Sequence, residues 1–139
     1  MKILLVGGCG FIGHNLSLNL RQKKHEVFIL DSLSVNNILS FTDSEIKNKK
    51  LYNSILNNRI DLIKENQIKL IIKDARNNNV INKICNAIKP DIIVHLAAVS
   101  HANKSNKDPH NTFDNSLRTL ENTLDFAKNS KTHVIFLSS

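Results

Sequence analysis

The chain opens on a short apolar run, Lys2-Ile3-Leu4-Leu5-Val6, that passes directly into Gly7-Gly8-Cys9-Gly10-Phe11-Ile12-Gly13 and then into a stretch with helical periodicity. A strand that must turn at once into a helix restricts the fold more than any other part of the sequence. One glycine lets the chain turn sharply, one lets the backbone approach a bound group, and one lets the helix pack tightly on the sheet. The helix N-terminus presents free N–H groups and the positive end of its dipole, so it holds a diphosphate without a basic side chain. The spacing Gly-x-x-Gly-x-x-Gly departs from the more familiar Gly-x-Gly-x-x-Gly, with Gly8 as an additional flexible position. Its context supplies the rest of a dinucleotide-binding pattern. Phe11, Ile12, Leu16 and Leu20 recur at helical spacing, and Glu26-Val27-Phe28-Ile29-Leu30 reads as a second strand ending at Asp31, the acidic residue expected about 20 positions on.

The alternation continues to the end. Residues 32–48 read as a polar loop; Leu51, Ile55, Leu62 and Ile63 predict a helix over 50–65 packed on the sheet. Residues 68–72 form a third strand ending at Lys73-Asp74-Ala75-Arg76, and Val80, Ile81, Ile84, Cys85 and Ile88 form a helical face closed by Pro90. Residues 91–96 read as a buried strand running into Ala97-Ala98, where small side chains let a ligand or backbone come close. Pro109 opens a helix over 110–128 with Leu117, Leu120, Leu124 and Phe126 among its apolar positions, and a last strand over 133–137 ends at Ser138-Ser139. This order predicts an α/β chain, a Rossmann-type doubly wound parallel sheet with strand order 3-2-1-4-5, ending after the fifth strand. Gly7 to Gly13, Asp31, Asp74, Ala97-Ala98 and Ser138-Ser139 all fall at carboxyl ends of strands, where such a sheet collects its ligand.

At 139 residues the chain is the length of one domain. No apolar run approaches the ~20 residues of a membrane span, and Met1-Lys2 leads straight into a core strand, so neither a membrane segment nor a signal peptide is expected and cytoplasm is the expected location. Cys9 and Cys85 make neither a disulfide framework nor a metal quartet, and both read as reduced, structural residues. The formal charge of +7 is spread among scattered lysines in a chain rich in Asn, Lys and Ile. Lys47, Lys49 and Lys50 read as a solvated face, and no nucleic-acid partner is expected. His95, His101 and His110 match no zinc spacing, so no metal site is expected; Ser100, His101 and Lys104 read as a solvated loop.

Taken together these residues resemble the extended short-chain dehydrogenase/reductase family, in its nucleotide-sugar epimerase and dehydratase branch. The family's Gly-x-x-Gly-x-x-Gly is similar to Gly7 to Gly13, and its "LDNLS" to Leu30-Asp31-Ser32-Leu33-Ser34. Its "GDIRD" is similar to Lys73-Asp74-Ala75-Arg76-Asn77, its "PDxVxHLAA" to residues 90–98, and its "FxSSS" to Phe136-Leu137-Ser138-Ser139. The resemblance implies that Gly7, Gly10 and Gly13 line the pyrophosphate of NAD, with Phe11 and Ile12 opening the helix beneath it. Asp31 would accept from the adenosine ribose hydroxyls and repel a 2′-phosphate, which favours NAD over NADP. Asp74 and Ala75 would contact adenine, and Ala97 and Ala98 would border the nicotinamide. Ser139, or Ser138 in a shifted register, would hydrogen-bond the reacting hydroxyl of a nucleotide-sugar substrate. A homodimer formed through helices flanking the sheet is also implied, including the helix over 110–128.

Two departures stand out. Where the family has "NVxGT" the chain has Ser116-Leu117-Arg118-Thr119-Leu120, so Ser116 replaces the customary Asn, with Asn115 beside it. The family's Tyr-x-x-x-Lys lies downstream of the fifth strand, and the one tyrosine here, Tyr52, is followed four residues on by Leu56. The chain is therefore expected to be the N-terminal, cofactor-binding part of an NAD-dependent epimerase or dehydratase, inactive alone. A non-catalytic NAD-binding module and an NAD(P)-dependent reductase of the same fold are the alternatives.

Overall fold

The computed structural model describes residues 1–35, 37–41, 48–99 and 106–137. Five strands, β1 (Lys2–Val6), β2 (Glu26–Asp31), β3 (Lys69–Ile72), β4 (Ile92–His95) and β5 (His133–Phe136), form one parallel sheet in the order β3-β2-β1-β4-β5. The helices α1 (Phe11–Gln22), α2 (Lys49–Glu65) and α3 (Asn78–Ile88) connect them, followed by α4 (Pro109–Phe113) and α5 (Thr119–Ala127). The expected sheet order is the observed one. It follows from strands apolar on both faces, which bury only between helix layers.

Side-chain alternation divides the core in two. Ile3, Leu5, Val27, Ile29 and Val94 point to one face, where Ile60 and Ile63 of α2 cover them and Leu16 and Leu20 of α1 pack against them. Leu4, Val6, Phe28, Leu30 and Ile93 point to the other, beneath Ile81, Cys85 and Ile88 of α3. Leu4, Leu5, Val6, Ile29, Leu30 and Ile93 are wholly excluded from solvent. Each such side chain contributes roughly 1.5–3 kcal/mol, so β1 and β2 anchor the domain.

The helix starts follow from local chemistry. The Asn77 side chain accepts from the Val80 N–H to cap α3, and Asp108 accepts from the Asn111 N–H to cap α4, with Pro109 in the first turn. At the far end of α3, Lys89 adopts a left-handed conformation and Pro90 follows.

Four expectations are corrected. The helix over 50–65 exists, as α2, but it buries Leu56, Ile60 and Ile63, whereas Leu51 and Ile55 are exposed. The buried set has the i, i+4, i+7 spacing of one stripe, and Leu51 and Ile55 fall outside it. The helix over 110–128 is interrupted: α4 and α5 are joined by a π-helical segment, Asp114–Arg118, and residues at both junctions keep right-handed helical dihedrals. Of its expected apolar positions Phe126 packs partly buried on the core, but the residues buried outright are polar. Thr119, Asn122 and Thr123 are buried, while Phe113, Leu117 and Leu124 are about half exposed. The polar residues face inward because each finds a partner there, as described below. The loop over 32–48 also carries one turn of 3-10 helix, Ile38–Phe41.

Candidate functional site

β1 leaves the sheet through Gly7, whose φ of +79° is the left-handed turn conformation, and the Gly7 N–H donates to the Leu30 carbonyl at 2.8 Å. A Cβ on Gly7 would lie 2.6 Å from the Ala97 nitrogen, so this turn and the chain after β4 touch backbone to backbone. A Cβ on Gly13 would lie 2.5 Å from the Gly8 oxygen, so α1 rests directly on the turn before it. Gly10 is the N-cap residue of α1; no side chain caps the helix and its first turn has no acidic residue. The positive end of the helix is thereby left open for an anion.

Asp31, at the carboxyl end of β2, fastens this turn to the next loop. Its Oδ2 accepts from the Cys9 N–H at 2.9 Å and its Oδ1 from the Leu33 N–H at 2.8 Å. Burial lifts its carboxyl above the usual carboxylate range, and the two backbone N–H groups partly oppose that shift. Each oxygen keeps acceptor capacity for a further donor. Asp74 behaves oppositely. The Arg76 guanidinium clasps its carboxylate, with Nη2 at 2.6 Å from Oδ2 and Nε at 3.1 Å from Oδ1, and holds it below the usual range.

One cavity of about 620 Å³ collects Gly7, Gly10, Phe11, Ile12, Gly13, Asp31, Asp74, Ala75, Ala97 and Ala98. All ten residues named from the sequence as cofactor contacts therefore lie around one space, contributed by the ends of β1, β2, β3 and β4. Ser138 and Ser139 lie outside the described residues, as do Lys47, Ser100, His101 and Lys104. His95 does not line the cavity: it is buried below it, with Nδ1 3.1 Å from Thr123 Oγ1 and Nε2 3.4 Å from Thr119 Oγ1. Cys9 and Cys85 are buried free thiols; burial pushes Cys85 up to about 12 and Cys9 higher still, so both remain protonated. Among the described residues no three His, Cys, Asp or Glu side chains converge, and no helix is long and apolar enough to cross a membrane.

The cavity also has lining that sequence reasoning missed, including Val35, Arg59, Asn115 and Thr119. Asn115 enters because the π-helical segment rotates the helix locally. Ser116, at the family's Asn position, instead accepts from the Val99 N–H at 3.1 Å and secures the loop after β4. Asn122 donates to the Ala75 and Arg76 carbonyls at 2.9 and 2.8 Å and fixes the opposite wall. Arg59 sits in mid-helix, where the sequence carries no signal that it faces a cavity.

Comparison with known proteins places this geometry in a lineage. The chain is 29% identical over 132 residues to a dTDP-D-glucose 4,6-dehydratase of Dictyostelium discoideum, covering 94% of this chain and 26% of that protein. It is 26% identical over 139 residues to a bifunctional UDP-glucose 4-epimerase and UDP-xylose 4-epimerase of Pisum sativum, covering 99% and 36%. The chain thus spans between a quarter and two-fifths of the length of these relatives. Among solved structures it superposes on Pal from Bacillus thuringiensis with a TM-score of 0.76 and 28% identity, covering 100% of this chain and 39% of that one. It shares its fold, at a TM-score of 0.76 and 24% identity, with a UDP-glucose-4-epimerase from Stenotrophomonas maltophila with bound NAD and formylated UDP-arabinopyranose, covering 100% and 37%. The profile of the NAD dependent epimerase/dehydratase family matches residues 3–139, nearly the whole sequence, and the chain belongs to that family.

Proposed function

We propose that this chain is the cofactor-binding part of an NAD-dependent epimerase or dehydratase acting on a nucleotide sugar. The observation that carries the reading is the single cavity lined by all ten residues expected at the cofactor. The uncapped N-terminus of α1 receives the diphosphate beside Gly7, Gly10 and Gly13, with Phe11 and Ile12 in the first helical turn. Asp31 accepts from the adenosine ribose hydroxyls, and its negative charge disfavours a 2′-phosphate. Asp74 and Ala75 border adenine, and Ala97 and Ala98 border the nicotinamide, where methyl groups leave room for a flat ring. Bound NAD supplies a hydride acceptor that later returns the hydride, so sugar oxidation is transient. Ser139, or Ser138, holds the reacting sugar hydroxyl by a hydrogen bond; the proton transfer belongs to a Tyr-x-x-x-Lys pair beyond these residues. The protein works in the cytoplasm and has no nucleic-acid partner.

The test is product analysis of the intact protein with NAD and a panel of UDP- and dTDP-sugars. An isomerised or dehydrated sugar with no accumulating NADH is the expected result, whereas stoichiometric NADH would identify a net dehydrogenase. No turnover by an intact protein that binds NAD would favour a non-catalytic module.

The Asp31→Asn variant is expected to bind NAD at least tenfold more weakly, since bonds to a charged acceptor contribute roughly 1.5–3 kcal/mol. The pH dependence has a fixed sign. Ribose hydroxyls are held best by the ionised carboxylate, so binding releases a proton within the raised titration range of Asp31. NAD affinity therefore rises with pH through that range and levels off above it, and Asp31→Asn flattens the profile. A wild-type affinity that falls with rising pH there would contradict the assignment of Asp31.

The exposed face of α4 and α5 is proposed as the homodimer surface. Phe113, Leu117 and Leu124 are 50%, 52% and 49% exposed, and each gains about 0.8–1.5 kcal/mol if a partner covers the remainder. Light scattering of the intact protein is expected to give a dimer, and Leu117→Glu with Leu124→Glu a folded monomer. A double variant that stays dimeric would place the interface elsewhere.

A further inference from the structure

Among the described residues Arg59 is the one basic side chain lining the cavity, which otherwise presents two carboxylates, Asp31 and Asp74, and a largely apolar wall. Asp74 is neutralised by Arg76, and Asp31 is held by backbone N–H groups. Arg59 has no such balance: among the described residues no carboxylate lies within ion-pair distance of it. It is half-buried, and Ile60 beside it is buried against the sheet, which fixes the rotation of α2 and keeps Arg59 on its flank.

Its guanidinium carbon stands 5.7 Å from the centre of the Phe11 ring. Phe11 is the first residue of α1, is 71% exposed and lines the cavity. That distance is within cation–π range, and a guanidinium so placed keeps N–H groups available for a bidentate acceptor. Two independent sources of positive potential, the uncapped helix end and an Arg without a counter-anion, thus converge on one place. A phosphate group there would have both the backbone N–H groups of α1 and the Arg59 guanidinium as donors.

We propose that Arg59 is a ligand of the cofactor diphosphate, closing over it from α2 opposite the glycine turn. The assignment rests on the NAD-site reading above and adds a charged partner to a subsite that the glycine turn alone would build from backbone. It also gives Phe11 a role: the ring is the platform that aims the guanidinium.

The experiment is titration of the intact protein with NAD, ADP, adenosine and NADP, comparing wild type with Arg59→Met and Arg59→Lys. Met keeps an unbranched stem over Phe11 and removes the charge; Lys keeps the charge and removes the fork. Arg59→Met is expected to weaken NAD and ADP about tenfold, to leave adenosine unchanged, and to reduce the salt dependence of NAD binding, while Arg59→Lys recovers part of the loss. Unchanged NAD affinity in Arg59→Met would overturn the assignment. So would an equal loss for adenosine, which would mark a packing role, or a loss confined to NADP, which would place the guanidinium at a 2′-phosphate. A wild-type protein that binds none of the four ligands would overturn the NAD-site reading itself, a result distinct from binding that is intact but indifferent to Arg59.

Discussion

Gly7→Ala and Gly13→Ala are each expected to cost about 3 kcal/mol or more of folding stability, whereas Gly10→Ala should change it by no more than about 0.5 kcal/mol. The three glycines share a motif but not an environment. At Gly13 an added Cβ meets the Gly8 oxygen, Cα and carbonyl carbon at 2.5, 2.6 and 2.7 Å, all backbone atoms of a turn pinned to Leu30 and Asp31. At Gly7 the clash with Ala97 is compounded by a left-handed φ, which costs a further 1–2 kcal/mol or so for a residue with a Cβ. At Gly10 the nearest atom is the Gly7 oxygen at 3.6 Å, an ordinary contact. Gly10→Ala should therefore fold normally and lose NAD affinity, because its open side faces the cavity. Denaturant unfolding combined with NAD titration separates the two effects. Equal stability losses at all three positions would refute this division of roles.

Acid should destabilise the domain through one residue in particular. Burial lowers His95 from 6.5 to about 4, so the folded protein resists a proton that the unfolded chain accepts. The unfolded state binds more protons between those values, and stability rises with pH across that interval. The contribution is fully present above pH 6.5 and lost as pH falls to about 4, at about 1.4 kcal/mol per unit, or roughly 3 kcal/mol in all. His95→Phe should remove this component. The two threonines can spare the imidazole, because Thr123 already donates to the Thr119 carbonyl at 3.0 Å and Thr119 to the Ser116 carbonyl at 3.0 Å. Urea unfolding of wild type and variant at pH 7 and pH 4.5 is the measurement; parallel losses in the two proteins would exclude His95 as the source.

What could be read from residues alone follows the physics that is local. Strands β1 and β2 were legible because an unbroken apolar run beside a glycine turn has few other uses, and the cavity was legible because parallel strands deliver their carboxyl ends to one edge. The buried face of α5 was not. Thr119, Asn122 and Thr123 are interior because His95 and the Ala75 and Arg76 carbonyls await them, and those partners are 24 to 47 residues away in sequence. Periodicity of apolar residues is blind to such pairing and selected Leu117 and Leu124, which face outward. The exchange of Asn115 for Ser116 at the cavity was hidden for a related reason: neither Gly nor Pro marks the π-helical segment that rotates the helix there. Arg59 reads as a solvated helix residue until α1 is placed beside α2.

The central position of β1 has a temporal consequence. On one side it pairs with β2, which follows within 25 residues, but on the other Ile3 pairs with Ile92, and the Lys2 N–H donates to Asp91 across 89 residues of chain. At translation rates of roughly 5–20 residues per second, the first strand waits about 5 to 20 s for its second neighbour to be synthesised. Throughout that interval Leu4, Leu5 and Val6 form one edge of an unfinished sheet on the ribosome. Within this domain the strand made first is thus among the last to be completed, and β1 keeps one edge open for pairing until β4 has been made.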